Sequence, residues 1–297
     1  MADTPSRNLF GLLTNDPNRI YVIAEAGLNH GGNKERALAL VRAAKWAGAD
    51  AVKFQTFRPD RQVSTHPAAP AHSKDQPDLQ KSFKELELPF DTLKVLHKEA
   101  CRIGIELLST PFDEQSADFL NDVGVNAFQI ASGDLTRRPL IEHVARKNKP
   151  VLLSTGMSTA DEIEKTIDWM RTQSNGQIVL LHCASSYPAK REELNLKSVQ
   201  YLRDRFGVPV GFSDHSVGTL GSIVATSLGA QIIERHFMIE TRGETPDHAV
   251  SMDAKALKGH IEELRAIGIV LGERGKYATE ADTKNKTAPR RARQARA

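Results

Sequence analysis

The sequence predicts a closed barrel of eight parallel strands and eight helices, a (β/α)8 TIM barrel, and three observations carry that expectation. Short apolar runs recur along the chain, amphipathic stretches lie between them, and every run ends in small or polar residues. The runs are Tyr21–Ala24, Ala51–Phe54, Ile105–Leu108, Ala127–Ile130, Val151–Leu153, Ile178–Leu181, Val208–Phe212 and Gln231–Ile233. Most are rich in Val, Ile, Leu or Phe and lack apolar–polar alternation, as expected of strands covered on both faces. Lys34–Ala47 carries Ala37, Leu38, Val41 and Ala44 on one helical stripe. Asp91–Ile103 repeats the spacing with Leu93, Leu96 and Ala100. Thr159–Met170 opens with Thr159 and Glu162 in capping-box spacing, and Asp253–Leu271 forms a last helix that stops near Gly272. Such units repeated over about 250 residues match the size of a closed barrel. The competing arrangement is an open doubly wound sheet. It is disfavoured because no Gly-x-Gly-x-x-Gly follows the first run.

A single barrel is expected over residues 20–275, after an N-terminal extension (1–19) and before a basic tail (276–297). Arg58–Glu87 is the longest break in the rhythm. It follows the second strand, so it belongs to the face where barrel sites form, either as a lid or as an idle insertion. The net charge is +3, but Lys284–Ala297 holds six Lys or Arg and no acid, which leaves about −3 for the rest. That body is no basic nucleic-acid surface, and the tail reads as a solvated end. Cys101 and Cys183 both lie in apolar stretches, which argues against a disulfide framework and fits a reducing compartment. No apolar run is long enough to span a membrane, and the polar start, Met1 to Arg19, lacks a signal-peptide core. A cytoplasmic location is the expectation.

Barrel sites form where strands end. Strand 1 leads to Glu25, Asn29 and His30, and strand 2 carries Lys53 and Gln55 on one face. Strand 3 ends in Ser109, Thr110 and Pro111, and strand 4 leads to Gln129, Ser132 and Asp134. Strand 5 gives Ser154, Thr155 and Gly156, and strand 6 gives His182, Ser185, Ser186 and Tyr187. Strand 7 gives Ser213, Asp214 and His215, and strand 8 gives Glu234 and His236. His215 and His236 end adjacent strands, which sit ~4.8 Å apart. Two imidazoles there can share a divalent cation with open positions, or simply hydrogen-bond. A lysine inside the mouth needs a partner, so Lys53 points either to an anionic ligand or to Glu25 or Asp134. Thr110, Ser132, Ser154 and Ser213 can complete a cradle for phosphate or carboxylate, although small hydroxyl residues also cap βα loops.

At these residues the chain resembles the sialic acid (N-acetylneuraminate) synthase family. The matching stretches are IAEAGLNHGG at 23–32, AGADAVKFQTF at 47–57, STPFD at 109–113, FQIASGDLT at 128–136 and PVLLSTGMST at 150–159. They continue with LLHCASSYPA at 180–189, VGFSDHSVG at 210–218, IIERHF at 232–237 and PDHAVSMD at 246–253. The resemblance implies a C–C bond-forming transferase that condenses phosphoenolpyruvate with an N-acetylated aldose and releases phosphate. It implies that His215 and His236 bind a divalent metal, Mn2+ first, with Mg2+ or Co2+ as alternatives. Lys53, Thr110, Gln129, Ser132, Ser154, Ser185 and Ser213 fall on positions that hold phosphoenolpyruvate, although the family often has Asn where Ser185 stands. Glu25, Gln55, Tyr187 and Asp247 fall on positions that hold or polarise the sugar. Glu25 and Asp134 are the candidates for steering water or a sugar hydroxyl, and Tyr187 is counted with them as catalytic.

Two departures stand out. Many family members carry Lys where this chain has Gln129, and a neutral amide is expected to weaken anion binding by about 1–3 kcal/mol. Family members also continue into a small antifreeze-like domain that reaches the partner subunit, and this sequence ends at RRARQARA, about where it would begin. On that expectation any homodimer rests on barrel contacts alone. Two other readings compete with the synthase. One is a non-catalytic or altered-specificity barrel that binds an anionic ligand; the other is a lyase using Lys53 as a Schiff base.

Overall fold

A computed structural model describes residues 9–16, 18–58, 84–239, 245–273 and 275–285. Each of the eight apolar runs becomes a strand: β1 (Tyr21–Gly27), β2 (Ala51–Thr56), β3 (Glu106–Pro111), β4 (Phe128–Ile130), β5 (Val151–Ser154), β6 (Ile178–Cys183), β7 (Val210–Asp214) and β8 (Ile232–Met238). They pair in chain order, and β8 returns to β1 with Tyr21 opposite Ile232 and Glu25 opposite His236. Every pairing in this ring is parallel, and the β8–β1 pairing closes the barrel. A short β9 (Met252–Asp253) adds to the end of β8.

Most strands run on past their apolar stretch. β2 continues through Gln55 and Thr56, β3 through Ser109 and Thr110, and β8 through Glu234 and His236. The polar side chains therefore stand on a hydrogen-bonded ladder rather than on loops, which fixes their spacing.

The helices are α1 (Leu9–Asn15), α2 (Lys34–Ala47), α3 (Phe90–Ile103), α4 (Glu114–Val123), α5 (Arg138–Ala145), α6 (Ala160–Thr172), α7 (Lys197–Phe206), α8 (Leu220–Ser227), α9 (Ala254–Leu271) and α10 (Glu280–Asn285). Their ends follow from sequence. Asn33 Oδ1 accepts from Arg36 N at 2.9 Å to start α2, and Gly48 at φ 87° closes it in a left-handed turn. The expected capping box opens α6: Thr159 N donates to Glu162 Oε2 (2.7 Å) and Glu162 N donates to Thr159 Oγ1 (3.4 Å).

Two apolar layers result. The outer one packs helix faces such as Leu40, Val41, Leu96 and Ile163 against Val22, Phe54, Phe128 and Phe212. The inner one fills the barrel floor with Tyr21, Ile23, Leu108, Leu152, Val179 and Ile232. Residues 9–15, counted from the sequence with the N-terminal extension, form α1, whose Leu9 and Leu13 are buried in that floor. Gln231 Nε2 donates to Leu13 O at 2.8 Å and pins the plug to the start of β8. Of the long break after β2, residues 59–83 lie outside the described residues, and so does most of the basic tail.

Candidate active site

The cavity at the carboxyl ends of the strands gathers thirteen of the fourteen residues expected from the sequence: Glu25, Lys53, Gln55, Thr110, Gln129, Ser132, Ser154, Ser185, Tyr187, Ser213, His215, His236 and Asp247. Strand register explains the gathering. Glu25 stands opposite Lys53 on one side and opposite His236 on the other, and Gln55 stands opposite Thr110. Alternation along each strand then points every second residue inward.

Asp134, expected to be catalytic, does not line this cavity. β4 is only three residues long, and the chain turns aside into a short 3-10 turn at Ser132–Asp134. Asp134 is buried beside Arg137, with Nη1–Oδ1 at 3.6 Å. Burial raises its carboxyl to about 6. Asn29 serves the scaffold as well. Its Nδ2 donates to Phe237 O (2.8 Å) and Ser251 Oγ (2.7 Å), tying the β1 turn to the loop after β8.

Lys53 is the electrostatic centre. Its Nζ lies 3.1 Å from Glu25 Oε2, 3.6 Å from Glu234 Oε2 and 3.4 Å from Thr110 Oγ1, with all three charged groups buried. Burial lowers the lysine's proton affinity, but Glu234 and Glu25 more than offset it, so Lys53 stays above its ordinary range. It is a cation, not the neutral amine that a Schiff base requires.

The two carboxylates diverge. Burial pushes Glu25 well above the usual carboxylate range despite Lys53, and Glu234 and Asp247 push it further. Glu234 is desolvated too, but Lys53 and hydrogen bonds from Ser213 Oγ (2.7 Å) and Gln129 Nε2 (3.2 Å) bring it below its ordinary value. One lysine thus faces one ionised and one protonated carboxyl group. Glu234 lines the cavity, although the sequence marked it only as a strand-end residue. The signal that could have promoted it is its spacing, two before His236 and hence on the same face.

The two imidazoles lie with ring centroids 5.5 Å apart. His215 Nδ1 contacts Ala184 O at 2.7 Å, so it carries the proton. Its Nε2 is then the acceptor, at 3.0 Å from Tyr187 Oη and 3.2 Å from Ser213 Oγ. Burial lowers the proton affinity of both histidines, and the field of His215 lowers His236 further. Both are neutral, as metal ligation requires. His236 Nδ1 is buried with no hydrogen-bond partner and lies 3.6 Å from Asp247 Oδ2. A fixed tautomer on one ring, an unpartnered nitrogen on the other and flanking carboxylates fit a divalent cation. Among the described residues no group of three or more His, Cys, Asp or Glu side chains has metal-holding geometry. Two protein nitrogens would leave the other positions to water or substrate oxygens, as an open catalytic site does.

Asp247 is seated by backbone. Leu28 N donates to its Oδ2 at 2.6 Å, and a Cβ at Gly27 (φ 49°) would stand 2.1 Å from that oxygen. Only glycine admits the carboxylate there. Gln129 Nε2 donates to Ser154 Oγ and to Glu234 Oε1, both at 3.2 Å, while its Oε1 has no hydrogen-bond partner. The amide is thus committed to neighbours and adds no charge to the cradle.

A barrel mouth with a charged buried lysine, hydroxyl donors and two neutral imidazoles is an enzyme site, and the relatives define its class as synthases of sialic-type sugar acids. The NeuB family model matches residues 40–276, and the chain belongs to that family. It is 42% identical over 260 residues to the N,N'-diacetyllegionaminic acid synthase of Legionella pneumophila, covering 85% of this chain and 73% of that protein. It is 39% identical over 275 residues to the N,N'-diacetyllegionaminic acid synthase of Campylobacter jejuni, covering 90% and 82%. The crystal structure of an N-acetylneuraminic acid (sialic acid) synthetase from Leptospira borgpetersenii in complex with citrate superposes with a TM-score of 0.82 at 29% identity, over 93% of this chain and 94% of that one. No helix among the described residues is long and apolar enough to cross a membrane.

Proposed function

We propose that the chain condenses phosphoenolpyruvate with an N-acetylated aldose, in a reaction that depends on a divalent metal, to give a sialic-acid-like nonulosonate and phosphate. The observation that carries this reading is the charged Lys53, held between Glu25 and Glu234 beside two neutral histidines. Lys53, Thr110 and the hydroxyls of Ser132, Ser154, Ser185 and Ser213 supply donors for the phosphate and carboxylate of phosphoenolpyruvate. Gln55, Tyr187 and Asp247 also line the cavity and receive the open-chain aldose. A divalent cation held by His215 and His236, Mn2+ first and Mg2+ or Co2+ as alternatives, would polarise the aldehyde as a Lewis acid.

The chain's own residues handle the protons. The enol carbon of phosphoenolpyruvate bonds to the aldehyde carbon, and the aldehyde oxygen takes the proton that Glu25 carries. Positive charge develops at the carbon bearing the phosphate ester, water adds there, and Glu25 recovers a proton from that water. The tetrahedral adduct breaks its C–O bond to phosphate, its hydroxyl proton leaves with the phosphate, and the carbon becomes the keto group. Lys53 and the hydroxyl donors stabilise the anion throughout.

The test is to incubate the protein with phosphoenolpyruvate, Mn2+ and a panel of N-acetylated aldoses and analyse the products by mass spectrometry. The expected product is a keto acid three carbons longer than the aldose, with one phosphate released per molecule. Absence of any such adduct across the panel would count against the proposal. The uncharged Gln129 favours a second reading, a barrel of altered specificity or one that binds an anion without turnover. Tight phosphoenolpyruvate binding with no product from any aldose would support that reading instead.

A further inference from the structure

The ladder between β7 and β8 carries a polar pair on each of its faces. Inside, Ser213 is opposite Glu234, and their side chains hydrogen-bond at 2.7 Å. One residue on, Asp214 is opposite Arg235, and by strand alternation both side chains point outward, under the helices. Asp214 and Arg235 are almost fully buried, and their ion pair is 3.1 Å long.

The pair grips more than itself. Arg235 Nη1 donates to Asp214 O (3.0 Å) and to Ser216 O (2.7 Å), the carbonyls on either side of His215. Asp214 Oδ1 accepts from Ser216 N (2.9 Å) and Ser216 Oγ (2.6 Å), and its Oδ2 accepts from Ser222 Oγ (2.6 Å) on α8. A Cβ at Gly221 would lie 2.9 Å from Asp214 Oδ2, so the first turn of α8 closes directly over the carboxylate. The short segment that carries His215 is thus bound to the residue that immediately precedes His236. A buried ion pair is weak evidence for stability, because desolvation cancels much of the Coulomb attraction. Its use must be sought in what it fixes.

We infer that the Asp214–Arg235 pair is a positioning device for the metal site: from the outer face of the barrel it sets the spacing and orientation of His215 and His236 on the inner face. This inference rests on the two-histidine metal reading. Neither residue lines the catalytic cavity, so any effect on metal affinity must travel through the backbone of residues 214–216 and 235–236.

The experiment is Mn2+ binding to the full chain without substrate, measured by electron paramagnetic resonance, with a thermal melt of each protein in parallel. The proteins are wild type, Asp214→Asn, Arg235→Lys and Ser222→Ala. Asp214→Asn and Arg235→Lys are expected to weaken Mn2+ binding about 10- to 100-fold, the scale of losing a group that orients a metal ligand. Metal-free phosphoenolpyruvate affinity should hold within about threefold, because the lysine cradle is untouched. Ser222→Ala removes one hydrogen bond and spares the ion pair, so it should weaken Mn2+ binding about 2- to 5-fold. It also decides the matter if the other two variants fail to fold. Folded variants with lowered melting points but wild-type Mn2+ affinity would overturn the inference alone. Wild-type protein that takes up no Mn2+ would sink the metal reading and this inference together.

Discussion

Ile23, Leu108, Leu152, Leu181 and Ile232 pack inside the barrel at its floor; two residues further along the same strands stand Glu25, Thr110, Ser154, Cys183 and Glu234 at its mouth. Ala51 and Lys53 on β2 repeat the step. The backbone ladder is continuous across both layers, so the difference lies wholly in side chains. The floor is apolar and plugged by α1, and it gains from burial. The mouth buries a lysine, two glutamates and two histidines and leaves Glu234 Oε2, Gln129 Oε1 and His236 Nδ1 without hydrogen-bond partners. Unsatisfied buried polar atoms cost stability, and these three belong to residues that line the cavity. One end of the interior holds the barrel together, and the other holds it ready.

That contrast can be broken in order of effect. Glu25→Gln at the mouth should lower kcat/KM about 10^2- to 10^4-fold, the usual share of a positioned acid. It should leave the melting midpoint near wild type, because the Lys53–Glu234 pair survives and Glu25 is protonated in the fold. Parallel kinetics and calorimetry check both halves; an active variant, or one that unfolds, would contradict the division. Leu152→Ala at the floor should do the reverse. It should cost about 2–5 kcal/mol in denaturant unfolding and leave kcat/KM within a factor of about two at a temperature where the variant is folded.

A smaller effect comes from His30, which sits in the turn after β1, fully buried, with its ring against Phe54. Burial lowers it to about 4, so it is neutral in the fold and protonates first in the unfolded chain. The folded state therefore loses stability as pH falls from about 6.5 towards 4, by up to about 3 kcal/mol. Unfolding of wild type and His30→Gln at pH 7 and pH 5 tests this: the variant should lose less on acidification. Equal losses would place the acid-sensitive group elsewhere.

Much of this was legible in the sequence because the barrel turns sequence periods into positions. Eight apolar runs gave eight strands, and period two then sent Lys53, Gln55, Ser213, His215 and His236 to one mouth. What escaped did so for physical reasons. Asp134 follows a strand that stops at Ile130, so inward alternation no longer applies to it. Glu234 hides in a strand whose histidine draws attention first, and its weight appears only when Lys53 is found 3.6 Å away. The floor plug was missed because Leu9 and Leu13, one helical turn apart, sit in a polar extension whose packing partner is long-range. The Asp214–Arg235 pair was hidden for the same reason: only the register of β7 and β8 makes neighbours of residues so far apart in the chain.

The most direct test of the proposed reaction is phosphate release from phosphoenolpyruvate in the presence of an N-acetylated aldose, measured before EDTA treatment, after it, and after Mn2+ is restored. Release that requires the aldose, disappears with EDTA and returns with Mn2+ is the predicted result. Release that ignores the chelator, or that proceeds equally without the aldose, would contradict it.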